Sequence, residues 1–79
     1  MCQSEVKKKT LLLNLGKNIR TLRTKQGISQ EELAFRINSA RNFVGCIERA
    51  EKAPTIVTLH RIASALNVKL AVLVENIDE

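Results

Sequence analysis

Aromatic side chains are nearly missing from this sequence: Phe35 and Phe43 are present, with no Tyr and no Trp. That lack counts against domains that stack bases on aromatic platforms, such as RNA-recognition sheets and single-strand-binding barrels. Cysteine is scarce too. Cys2 and Cys46 lie far apart and share no metal-ligand spacing, and a small secreted domain would carry a fuller disulfide framework. No apolar run approaches the ~20 residues that span a bilayer. Leu11, Leu12 and Leu13 are too short a run for a secretory leader, so a cytoplasmic protein with reduced thiols and no membrane contact is expected. His60, the single histidine, has no second ligand or nucleophile beside it and reads as a surface residue. With no paired acid and base, activated nucleophile, metal cluster or phosphate-cradling glycine loop, no enzyme, cofactor, metal or small-molecule ligand is expected.

What is present is one domain of 79 residues, 44% hydrophobic, with a formal charge of +5. A chain this size buries roughly 60–65% of its unfolded surface, so the core is modest. The basic excess suits a polyanionic partner, although charge speaks to association and not to fold. Residues 1–10 are polar, and Lys7, Lys8 and Lys9 make them either a flexible basic arm or the frayed start of a helix. Residues 11–79 then form the folded domain.

From Thr10, a candidate cap, to Gln26, the residues Leu12, Leu15, Ile19 and Leu22 step by three and four, the spacing of one helix face. Gly16 interrupts that face, where its missing side chain would let another helix come close. Gly27 ends the helix. Ser29 with Glu32 three positions later is a capping box, and the second helix runs to about Ile37 with Leu33, Ala34 and Ile37 inward. Asn38 suits a left-handed turn, and Ser39 would cap a third helix over roughly residues 40–50 with Val44 and Ile47 inward. Pro54 stops any helix running into it. Thr55 can cap a fourth helix to Leu66. Residues 69–74 are β-branched enough for a strand, but a short fifth helix fits better, because a lone strand has nothing to pair with. The expected fold class is all-α.

The stretch from Ile28 to Ala53 carries the chemistry. Two short helices joined by a turn of about three residues form a rigid corner that presents the second helix to the major groove of DNA. Arg41 and Asn42 lie in the first turn of that helix. Arg pairs bidentately with guanine and Asn with adenine. Gly45 and Cys46 lie one turn later on the same face. Gly45 would let the helix sit deep, and Cys46 would touch a base through its thiol or act as a redox switch. Gln30, at an amino-terminal helix end, together with Arg49, Lys52 and Thr55 would contact phosphates, which set position and not sequence choice. Glu48 would be repelled by DNA. It is expected to turn inward and pair with Arg23, an exposed glutamate being the alternative.

These residues, GKNIRTLRTKQGISQEELAFRINSARNFVGCIERAEKAPTIVTLHRIASALNV, resemble the Cro/repressor helix-turn-helix family, also called the xenobiotic-response-element family. The resemblance runs from about Leu15 to Leu73 and rests on ISQEELA, IER, Pro54 and IASAL. Within that family, RNFV followed by IER and APT is similar to restriction–modification controller proteins, small homodimers that bind palindromic operators. The resemblance implies a five-helix domain that dimerises through its last two helices. It implies base contacts at Arg41, Asn42, Cys46 and Arg49, phosphate contacts at Ser29 and Gln30, and an ion pair between Arg23 and Glu48. The chain departs from the family at Asn38 and Ala50, where glycine is usual. Ala50 in a left-handed cap would cost ~1 kcal/mol, unless the helix ends differently.

The expected function is a sequence-specific regulator of transcription that binds double-stranded DNA. A single unit grips one half-site, whereas a two-fold dimer doubles the contacts. Leu70, Leu73, Val74 and Ile77 exceed what so small a core can use and would form a sticky patch unless paired, so a homodimer interface is expected there. The competing class is a protein-interaction module such as an antitoxin, against which the short tail counts.

Overall fold

The computed structural model describes residues 2–78, with side chains described for residues 7–78. Met1 of the expected arm and Glu79 of the expected domain lie outside the described residues. Among those described there are five helices and no strand: α1 (Cys2–Lys25), α2 (Gln30–Arg36), α3 (Arg41–Glu48), α4 (Ile56–Ala65) and α5 (Leu70–Leu73). Residues 2–10 are the opening turns of α1, so Lys7, Lys8 and Lys9 stand exposed on a helix. Thr10 lies inside that helix and does not cap its start. No glycine or proline interrupts residues 2–15, so nothing in the chain itself starts the helix late.

The core is one cluster built from all five helices. Ile19 of α1, Leu33 of α2, Val44 and Ile47 of α3, Ile62 and Leu66 of the α4 end, and Leu73 of α5 are each at most 1% exposed. Burying a side chain of this kind contributes about 1.5–3 kcal/mol. Leu73 departs from expectation. The sequence places it at a dimer face, yet it is fully buried within the single chain. The short α5 turns this residue inward against the core, and Asn18 Nδ2 donates to its carbonyl at 2.9 Å.

The first four helices end in the same way. Ile28 N donates to Arg23 O, Ser39 N to Ala34 O, Glu51 N to Cys46 O and Val68 N to Ala63 O, all at 2.8–3.0 Å. The residue before each donor is left-handed: Gly27 at φ 71°, Asn38 at 58°, Ala50 at 63° and Asn67 at 57°. This double turn satisfies carbonyls that a helix end would otherwise leave unpaired. Gly and Asn tolerate it, whereas an alanine Cβ crowds the following carbonyl. Ala50→Gly is therefore expected to raise stability by about 1 kcal/mol, which is about 4–8 °C in Tm for a domain this small. A thermal melt with no upward shift would mean that the turn carries no such strain.

Ser39 does not cap α3. Closing α2 through the Ser39 N–H places that residue before the helix, and the N-cap is Ala40, at φ −74° and ψ 148°, without a side-chain cap bond. Ser29 and Thr55 do cap, accepting from Glu32 N and Thr58 N at 3.0 and 3.2 Å. Gly16 lies where α1 crosses the end of α3. A Cβ there would stand 2.6 Å from Glu48 O and 2.7 Å from Ile47 O, both backbone atoms. Only a residue without a side chain allows this approach, which fixes the end of α3 against α1.

Candidate nucleic-acid interface

The outer face of α3 is held from behind by three side chains. Arg23 Nε donates to Glu48 Oε2 at 2.6 Å and its Nη2 to Oε1 at 3.1 Å. Its remaining donor, Nη1, reaches Ile28 O at 2.8 Å, so one guanidinium joins α1, the start of the α2 turn and α3. Gln30 Nε2 adds a third bond to the same carboxylate at 3.0 Å. Glu48 thus faces inward, with its side chain 3% exposed. Bidentate arginine–carboxylate geometry adds orientation as well as energy. Nothing in the sequence marks the bond from Gln30. It spends part of the amide that the sequence offered to phosphate, and it keeps Gln30 half-buried.

With Val44 and Ile47 packed inward, Arg41 and Asn42 stand exposed at the start of α3 and Cys46 is half-buried one turn later. Cys46 carries a free thiol. Lys52, from the loop after α3, comes beside this face: Ser39, Ala40, Asn42, Phe43, Cys46 and Lys52 line one shallow open cleft. The expected base-reading residues Asn42 and Cys46 and the expected phosphate contact Lys52 therefore adjoin one another. Ser29 and Thr55 are exposed at the amino-terminal ends of α2 and α4. The Ser29 hydroxyl accepts within its cap, which leaves its proton for a further partner. Thr55 is spent in both directions, since its Oγ1 also donates to Thr58 Oγ1 at 3.1 Å.

Gly45 is not open on the outer face, contrary to expectation. It is buried under two side chains: a Cβ there would lie 2.9 Å from Arg49 Nη1 and 3.5 Å from Gln30 Oε1. Arg49 is itself exposed and pairs with Glu51, Nε to Oε2 at 3.0 Å and Nη2 to Oε1 at 3.3 Å. The hydrogen bond to Arg49 lowers the Glu51 pKa below the ordinary carboxylate value, and Glu51 in turn raises that of Arg49. Both groups stay charged at neutral pH.

Several residues that set this geometry had no signal in the sequence. Asn14 Nδ2 donates to Ile77 O at 2.8 Å, and Asn18 Nδ2 donates to Leu73 O and Glu75 O at 2.9 Å each. Gln26 Nε2 reaches Leu66 O at 2.7 Å, and Arg36 Nη1 reaches Ala65 O at 3.2 Å. Each supplies a donor to a carbonyl at the end of α4 or in the segment after it. Nothing in residue type or spacing marks them, because the acceptors lie 29 to 63 residues away in the chain.

The helix-turn-helix family model matches residues 19–73. The uncharacterized HTH-type transcriptional regulator y4dJ of Sinorhizobium fredii is 35% identical over 65 residues, 82% of this chain and 84% of its own length. The control protein C.SmaI of Serratia marcescens is 38% identical over 56 residues, 71% of this chain and 67% of its own length. Among solved structures, the restriction-modification controller protein C.AhdI from Aeromonas hydrophila aligns with a TM-score of 0.77 at 37% identity, covering 78% of this chain and 94% of that one.

Proposed function

The chain belongs to the helix-turn-helix family of DNA-binding transcriptional regulators, and from that premise we propose that it acts in the cytoplasm as a homodimer on a palindromic operator, governing the genes of a restriction–modification system. Arg41, Asn42 and Cys46 read base edges in the major groove. Ser29, Gln30 and Lys52 contact phosphates around them, whereas the Thr55 hydroxyl is used within its own cap. One observation carries this reading: the exposed pair Arg41 and Asn42 sits on a helix whose opposite side is locked by Val44, Ile47 and Glu48. A reading surface must be both open and stiff, since a floppy helix would lose in ordering entropy what its base contacts contribute. The likeness to C.SmaI and C.AhdI supports the choice of regulated genes.

The dimer face is the carboxyl-terminal segment without Leu73. Leu70, Val74 and Ile77 are half-buried at the edge of the core, and Ala71 beside them is exposed. A two-fold pairing there would set two α3 helices into half-sites about 34–36 Å apart.

Selection from a random duplex pool, followed by a salt titration on the selected site, tests the reading. Binding is expected to weaken by about 0.9 log unit per phosphate contact for each log unit of salt. Lys52→Ala is expected to lower affinity evenly across sequences and to make that slope shallower by about 1. A loss confined to particular sequences would mean that Lys52 reads bases. A protein that selects no duplex would point instead to a protein-interaction module.

A further inference from the structure

Arg49 does not extend away from α3. Its guanidinium folds back across the helix, with Nη1 in the space beside Gly45 and Nη2 3.9 Å from Cys46 Sγ. Glu51 holds it there through Nε and Nη2. The carboxylate is itself placed by the backbone. Ala50 is left-handed at φ 63°, and Glu51 N donates to Cys46 O at 2.8 Å. That turn brings Glu51 back over the helix end.

This pairing uses one side of the guanidinium. The group has five N–H donors in a rigid plane. Glu51 takes the Nε–Nη2 side, which leaves the Nη1–Nη2 end with only the long contact to Cys46. Two donors side by side are what the O6 and N7 atoms of guanine accept in the major groove. The same carboxylate stands on the surface that meets DNA, where it repels phosphate and occupies the edge that a phosphate would take. The neighbouring face carries Arg41, Lys52 and Arg49, and of these Arg49 is the one that pairs with an acid, Glu51, among the described residues.

We propose that Glu51 is a positioning residue for sequence choice: it seats the guanidinium of Arg49, the C-cap residue of α3, across Gly45 as a guanine reader and withholds that arginine from general phosphate binding. Gly45 belongs to the device, because any side chain there would displace the guanidinium. The proposal rests on the DNA-binding reading given above.

The test is duplex selection with the full chain and with Glu51→Gln, Gly45→Ala and Arg49→Lys, each checked for folding by its thermal melt. Alanine favours a helix over glycine, and the group it would meet is the mobile end of a side chain, so Gly45→Ala should fold at least as well. The unaltered chain is expected to require guanine at one position of each half-site. All three variants are expected to lose that preference by roughly ten-fold at that position alone, the order of one bidentate pair. Positions set by Arg41 and Asn42 should stay as they were. On a random duplex, Glu51→Gln should bind several-fold tighter at low salt, with a slope steeper by about 1. Retention of the guanine preference in Glu51→Gln or Gly45→Ala would overturn the proposal, as would an even loss at every position. If the unaltered chain selects no site, the DNA-binding reading falls first. If it selects a site in which Arg49→Lys changes nothing, this inference alone falls.

Discussion

Glu48→Ala is expected to cost about 3–5 kcal/mol of folding stability, because it leaves the Arg23 guanidinium buried without its counter-charge. Arg23 is only 8% exposed and its side chain reaches both Glu48 and Ile28 O. It cannot swing to water without breaking the link between α1 and the α2 turn. The same change removes the acceptor of Gln30 Nε2. Domains of this kind have about 5–15 kcal/mol in all, so the loss is a large share. It should lower Tm by on the order of 20 °C. DNA binding should fall as well, since Glu48 orients the reading helix. A second variant separates pairing from packing. Adding Arg23→Met to Glu48→Ala should recover part of the loss, because the stranded charge is then gone. An unaltered melting temperature in the single variant would contradict the role given to this pair.

What the sequence disclosed follows the range over which each feature is decided. Ser29, Thr55, Gly27 and Asn38 act within a turn of their own position, and the structure uses each of them as a cap or a left-handed stop. The three-and-four spacing of Leu15 and Ile19, or of Leu59, Ile62, Ala63 and Leu66, reports burial because one helix face meets one core. Even so, the box at Ser29 closes on one side only. Glu32 pairs with Arg36 at 2.9 Å, a partner one turn on that competes for the same carboxylate.

Features decided by tertiary placement were out of reach. Leu73 looked like surplus apolar area until α5 turned it onto the core. Gly45 looked open because the sequence cannot show that Arg49 folds back over it. Ser39 looked like a cap, but the closure of α2 claimed its backbone first. At Ala50 the sequence poses the right question, a left-handed alanine or a different helix end, and the backbone answers it with a φ of 63°. Glu51 gave no sign of its partner, because a loop carboxylate two residues from an arginine is ordinary in any soluble chain.

The central claim is that the outer face of α3, beginning with Arg41, enters the major groove. Arg41 is exposed, forms none of the ion pairs present among the described residues, and stands in the first turn of a helix fixed from behind. Its removal should therefore spare the fold and strike recognition. The direct measurement is duplex selection and affinity with Arg41→Ala beside the unaltered chain, at one salt concentration. The expected result is an unchanged thermal melt, a loss of roughly 1–3 kcal/mol on the selected duplex, and a relaxed preference at one base pair in each half-site. Equal affinity and an identical selected sequence would contradict the account, and α3 would then have to be placed away from DNA.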